Sequence, residues 1–74
     1  MKHSIIGDFI KTERKKRNLT QKEFANISGL GLKFIRDLEQ GKPTVRMDKV
    51  NQALYMFGAI AGPIKLKDIN NEES

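Results

Sequence analysis

Seventy-four residues leave room for one small domain with a modest core, and the absence of cysteine rules out a disulfide framework and any cysteine-based zinc or redox site. Fourteen Lys and Arg against nine Asp and Glu give a formal charge of +5, which suits a polyanionic partner, nucleic acid before membrane. No apolar run approaches the ~20 residues of a membrane span, and the first residues lack a signal peptide's apolar stretch. The single His3 has no second histidine beside it, so no metal site is expected. A cytoplasmic protein without cofactor fits this composition. An enzyme is not expected either: there is no histidine-containing acid–base pair, no Walker-type glycine loop and little core from which to build a pocket.

The first predicted helix runs from about Ile5 to Arg17, with Ser4 as N-cap. Ile6, Phe9 and Ile10 follow the i, i+3, i+4 spacing of a core-facing stripe. Five of the seven residues from Lys11 to Arg17 are basic, a run that is more often a solvated face than a DNA patch. Asn18 suits the helix end, because asparagine tolerates left-handed backbone geometry. Thr20-Gln21-Lys22-Glu23 is a capping box opening a second helix, and Leu19 and Phe24 match the flanking hydrophobic staple. Gly29 ends it.

A third helix is expected from Gly31 or Leu32 to Gln40, with Ile35 and Leu38 pointing inward and Gly41 at its C-cap. Lys42-Pro43 forbids its continuation. A fourth covers roughly Met47 to Phe57, where Met47, Val50, Leu54 and Phe57 share one face. From Ala59 to Lys67 the period changes to alternation: Ile60, Ile64 and Leu66 on one side, Lys65 and Lys67 on the other. A lone strand has no partner in an all-helical monomer, so pairing with the same strand of a second copy is the economical expectation. The predicted organisation is a four-helix domain over residues 1–58, a dimerisation strand over 59–67 and a polar tail over 68–74.

Two short helices joined at Gly29 form a helix-turn-helix, whose second helix can enter a major groove. Gln21, at a helix N-terminus, is a natural phosphate ligand, and Thr20 can share that contact while capping. Lys33 and Arg36 can donate to guanine O6 and N7, and Leu32 can meet a thymine methyl. Gly31 allows the backbone close to DNA. Phe34 is expected either at the domain edge or toward the groove, and Tyr55 and Met56 lie off the core stripe, open to a dimer contact.

The pattern Leu19-Thr20-Gln21-x-x-Phe24-Ala25-x-x-x-Gly29-Leu30-x-x-x-x-Ile35-x-x-Leu38-Glu39-x-Gly41-Lys42 resembles the Xre/Cro family of helix-turn-helix regulators. The resemblance covers Ile6 to Phe57. It implies an all-α, four-helix, lambda-repressor-like domain, here with a short C-terminal β-strand for dimer pairing. It places Gly31, Leu32, Lys33 and Arg36 at base-reading positions. It sets the segment holding Lys42, Thr44 and Arg46 beside the DNA backbone, with Thr20 and Gln21 as further phosphate contacts. Arg14 and Glu39 match a structural ion pair. More narrowly, Gly7-x-Phe9-Ile10-Lys11, Phe34 to Thr44 and Arg46 to Val50 are similar to HipB-type antitoxin repressors, some of which carry longer C-terminal tails. That similarity implies a homodimer on an inverted-repeat operator of double-stranded DNA, autoregulation, and a HipA-like kinase toxin as partner, with no membrane involved. Two other functions fit the same residues: an interaction module that mainly neutralises such a kinase, and a phage or restriction-modification regulator with no toxin.

Overall fold

The computed structural model of the chain describes residues 4–63. They form four helices: α1 (Ile5–Lys16), α2 (Gln21–Ser28), α3 (Leu32–Glu39) and α4 (Met47–Tyr55). The first two helices begin at side-chain caps, while Gly31 before α3 and Arg46 before α4 make no side-chain capping hydrogen bond. Ser4 is extended, and its Oγ accepts the Gly7 N–H at 2.9 Å. The Thr20 capping box is complete: the Glu23 N–H donates to Thr20 Oγ1 at 3.0 Å, and the Thr20 N–H donates to Glu23 Oε1 at 2.8 Å.

The helices also stop in a common way. Asn18, Gly29, Gly41 and Gly58 all have φ between 57° and 81°. After α3 the Gly41 N–H bonds the Leu38 carbonyl and the Lys42 N–H bonds the Asp37 carbonyl, a Schellman arrangement that reverses the chain.

One large side chain from each helix makes the centre of the core: Ile10, Phe24, Ile35 and Val50 are fully buried. Ala25, Leu30, Leu38, Ala53 and Leu54 complete it. Phe57 stacks on Phe24 at 5.1 Å between ring centroids and meets Phe9 edge-on at 6.3 Å. The Arg17 guanidinium covers the Phe57 ring at 4.7 Å. Burial of these apolar groups is the main favourable contribution to folding a chain this short.

Several boundaries differ from expectation. α1 stops at Lys16 with Arg17 as C-cap, and α3 stops at Glu39 with Gln40 as C-cap, so Gly41 is the residue beyond. α4 stops at Tyr55, and residues 56–58 turn. Met47 has the right periodicity but is 58% exposed, because the first residue of α4 stands outside the core; Ala53 takes an inner position instead. Phe9 is at the core's edge.

Residues 59–63 have no regular secondary structure. Ala59 and Ala61 pack on the core and the Ala61 N–H donates to Asn51 Oδ1 at 2.8 Å, so the packed unit runs past residue 58. The remainder of the expected strand, with Ile64 and Leu66, the tail over 68–74 and His3 lie outside the described residues.

Candidate nucleic-acid interface

Three residues, Gly29-Leu30-Gly31, connect α2 to α3. Gly29 takes φ 76°, a left-handed geometry in which a Cβ would be strained. Leu30 is buried and anchors the turn in the core. Ser28 Oγ accepts the Leu30 N–H at 3.3 Å, and Gln52 of α4 donates Nε2 to the Ser28 carbonyl at 2.7 Å. The turn is therefore held from below by α4. Gln52 carries no distinguishing signal in the sequence, since it looks like any polar residue on an amphipathic helix.

From this turn α3 emerges with two faces. Ile35, Leu38 and Glu39 are buried, while Lys33 and Arg36 are exposed. The Arg36 side chain makes no hydrogen bond or ion pair among the described residues, so its five donors are free for a ligand. Leu32 and Phe34 are half-buried and pack on the core. At Gly31 an added Cβ would meet nothing within 4 Å, so the fold itself does not require glycine there.

The far end of α3 is fixed by a buried polar cluster. Arg14 of α1 donates from Nε to Glu39 Oε2 at 2.8 Å and from Nη2 to Glu39 Oε1 at 3.0 Å, a bidentate fork. Its Nη1 donates to the Leu19 carbonyl at 2.7 Å. Gln21 Nε2 joins by donating to Glu39 Oε1 at 3.1 Å. The Arg14–Glu39 pair is thus present, as the resemblance implied, and it also captures Gln21. The amide expected to face a phosphate is tied inward through one N–H; its other N–H and its oxygen make no contact among the described residues.

Gly7 is what lets α1 approach α3. A Cβ there would overlap the Leu38 carbonyl oxygen and lie 2.8 Å from Ser4 Oγ. Nothing in the local pattern marks that need, because it arises from backbone distant in the chain.

The loop after α3 carries the remaining candidates. Lys42, Thr44 and Arg46 are all exposed. Lys42 and Lys33 share one carboxylate, Asp37 Oδ2, at 3.5 and 3.0 Å. The Lys33 hydrogen bond, more than any other contact, holds the Asp37 carboxyl below its ordinary range. Arg46 grips Asp48 through Nε at 3.2 Å and Nη2 at 2.8 Å, which likewise lowers the Asp48 carboxyl. These three ion pairs are solvent-screened and individually weak. Thr44 makes no contact of this kind.

The basic run of α1 is largely committed to the protein. Arg14 is buried, Arg17 and Lys16 both bond Glu13, and only Lys11 and Lys15 are without partners among the described residues. Ile60 is exposed, as are Tyr55 and Met56.

A buried-cored pair of short helices, joined by a glycine turn and presenting an exposed basic face on the second, defines a helix-turn-helix DNA-binding unit. The chain belongs to the helix-turn-helix family, whose model matches residues 10–52, from the core of α1 into α4. It is also 49% identical over 53 residues to the uncharacterized HTH-type transcriptional regulator y4mF of Sinorhizobium fredii, covering 72% of this chain and 70% of that protein. No helix among the described residues is long and apolar enough to cross a membrane.

Proposed function

We propose that this helix-turn-helix regulator is a sequence-specific repressor that binds double-stranded DNA as a homodimer, and that it is not an enzyme. The observation that carries this reading is the outer face of α3: Arg36 is exposed and unpaired, and Lys33 stands one turn earlier on the same side. Arginine there can bind guanine O6 and N7 bidentately, and lysine can add a point contact. Thr20, Gln21, Lys42, Thr44 and Arg46 supply phosphate contacts around it, which fix register without reading sequence. Gly31, uncrowded by its own fold, lets the turn approach the duplex.

Pairing of two copies would set their α3 helices about 34–36 Å apart and favour an inverted repeat. The exposed Ile60, with Ile64 and Leu66 of the same alternation, is the proposed dimer contact. The finer reading, supported by the HipB-like motifs, is an autoregulating antitoxin paired with a HipA-like kinase toxin.

Arg36→Ala tests base reading. It should flatten discrimination among operator variants by about 1–3 kcal/mol at one position. An unchanged preference removes Arg36 from that role. Truncation after Gly62 tests dimerisation while retaining the Ala59 and Ala61 core contacts. Sedimentation should then show a weakened dimer, and an intact one would sink the strand-pairing proposal.

A further inference from the structure

Asp37 puts a negative charge in the middle of a face otherwise built to meet phosphates. Its Oδ2 accepts from Lys33 Nζ at 3.0 Å and lies 3.5 Å from Lys42 Nζ. Lys33 reaches it because α3 stacks residues four apart. Lys42 reaches it because the turn at Gly41 folds the chain back, with the Lys42 N–H on the Asp37 carbonyl at 3.0 Å. The carboxylate thus touches one lysine at a base-reading position and one in the backbone-following loop.

The bonds that close α3 are made by backbone groups and not by the Asp37 side chain. An aspartate in the last turn of a helix also opposes the helix dipole. Near DNA it repels phosphate. Asp37 therefore opposes the complex with a polyanion, and its favourable effect is its pairing with two cations in the free protein.

We propose that Asp37 is a specificity-determining residue: it holds Lys33 and Lys42 on its carboxylate and so suppresses sequence-blind binding to phosphates. On arbitrary DNA, a lysine that moves to a phosphate exchanges one ion pair for another and leaves a carboxylate facing the polyanion. On the operator, base acceptors and the Arg36 contacts add what phosphates alone do not. Specificity of this kind comes from weakening the wrong complex. The proposal rests on the DNA-binding reading above.

The test compares wild type, Asp37→Asn and Asp37→Glu, each as the full chain. Fluorescence anisotropy follows binding to a duplex carrying the gene's own upstream region and to a scrambled duplex, between 50 and 200 mM salt. Asp37→Asn preserves shape and removes the charge, and its thermal melt checks the fold. Its scrambled-duplex affinity should rise, with the log–log salt slope steeper by about 0.9 per phosphate newly engaged, so that the gain shrinks roughly 3.5-fold between 50 and 200 mM salt. The ratio of specific to scrambled affinity should fall. Asp37→Glu should keep the wild-type ratio, and adding Lys33→Gln and Lys42→Gln to Asp37→Asn should abolish the gain.

Unchanged scrambled binding overturns the proposal. So does equal weakening on both duplexes, which would mean Asp37 only positions the lysines, and so does a loss confined to the specific duplex, which would mean a direct base contact. Wild-type protein that binds neither duplex overturns the DNA-binding reading itself, and this proposal with it.

Discussion

Glu39→Ala should remove about 3–5 kcal/mol of folding stability. The substitution removes a carboxylate that accepts from Arg14 Nε, Arg14 Nη2 and Gln21 Nε2. The Arg14 side chain, only 8% exposed, would keep the Leu19 carbonyl as its one acceptor among the described residues. Leaving one member of such a pair buried costs about 3–5 kcal/mol, because the charge has lost its partner and cannot reach water. A chain of 74 residues has a total stability of only about 4–11 kcal/mol at the usual figure per residue. The loss is therefore a large fraction of everything that holds the fold.

Urea denaturation followed by far-ultraviolet circular dichroism measures it, with the double variant Arg14→Met/Glu39→Leu as control. Removing both charges together should be close to neutral or mildly stabilising. The double variant should nonetheless bind DNA more weakly, because Gln21 loses its anchor. A cost below about 1 kcal/mol for Glu39→Ala would place the pair in the range of exposed ion pairs and refute the reasoning. A double variant as unstable as the single would refute it too.

Gly7→Ala should destabilise by about 1–3 kcal/mol, since the overlap with the Leu38 carbonyl involves backbone that cannot swing aside and outweighs the ~1 kcal/mol helix preference for alanine; a raised melting temperature would contradict this. Gly31→Ala should leave the melt unchanged or raise it slightly, as nothing stands within 4 Å of the new Cβ, yet weaken DNA binding in a titration; equal binding would show that the duplex does not approach that backbone. Acid should erode stability. The carboxyls of Glu13, Glu23, Asp37 and Asp48 are all held below their ordinary values of 4.5 or 3.8 by hydrogen bonds, those of Glu13, Asp37 and Asp48 to basic side chains and that of Glu23 to Thr20. Lowered carboxyls stabilise fully above their unfolded values and cease to do so as pH falls through the folded ones. Urea midpoints at a series of pH values should be flat between about pH 5 and 8 with respect to these groups and fall below about pH 4.5; a midpoint that rises on acidification would reverse the sign.

The starts of α1 and α2 are legible in the sequence because capping is local chemistry. Thr20 and Glu23 sit three residues apart whatever the tertiary structure, and Gly29, Gly41 and Asn18 mark chain reversals that need few neighbours. The core is legible wherever periodicity and packing agree, as at Ile10, Phe24, Ile35 and Val50. It fails at Met47, where the periodic position falls beyond the reach of any covering helix.

The candidate site is legible in its exposed charges and opaque in its supports. Arg36 and Lys33 stand out by residue type, and the structure leaves both exposed on α3. Gly7 and Gln52 do not, because their roles come from backbone groups on other helices. Gln21 is half legible: its place at a helix N-terminus is visible, and its capture by Glu39 depends on how α1 and α3 bring that carboxylate to it. The pairing of Asp37 with Lys33 follows helical spacing, whereas its contact with Lys42 depends on the turn at Gly41.

The central claim is that the exposed face of α3 reads DNA sequence. Its most direct test is the affinity of the wild-type chain for its gene's upstream duplex against a scrambled duplex of equal length across a salt series. The account predicts a clear preference for the upstream sequence that persists as salt rises. Weak, equal binding to both, lost together as salt increases, would mean that only the +5 charge is being sensed and would contradict it.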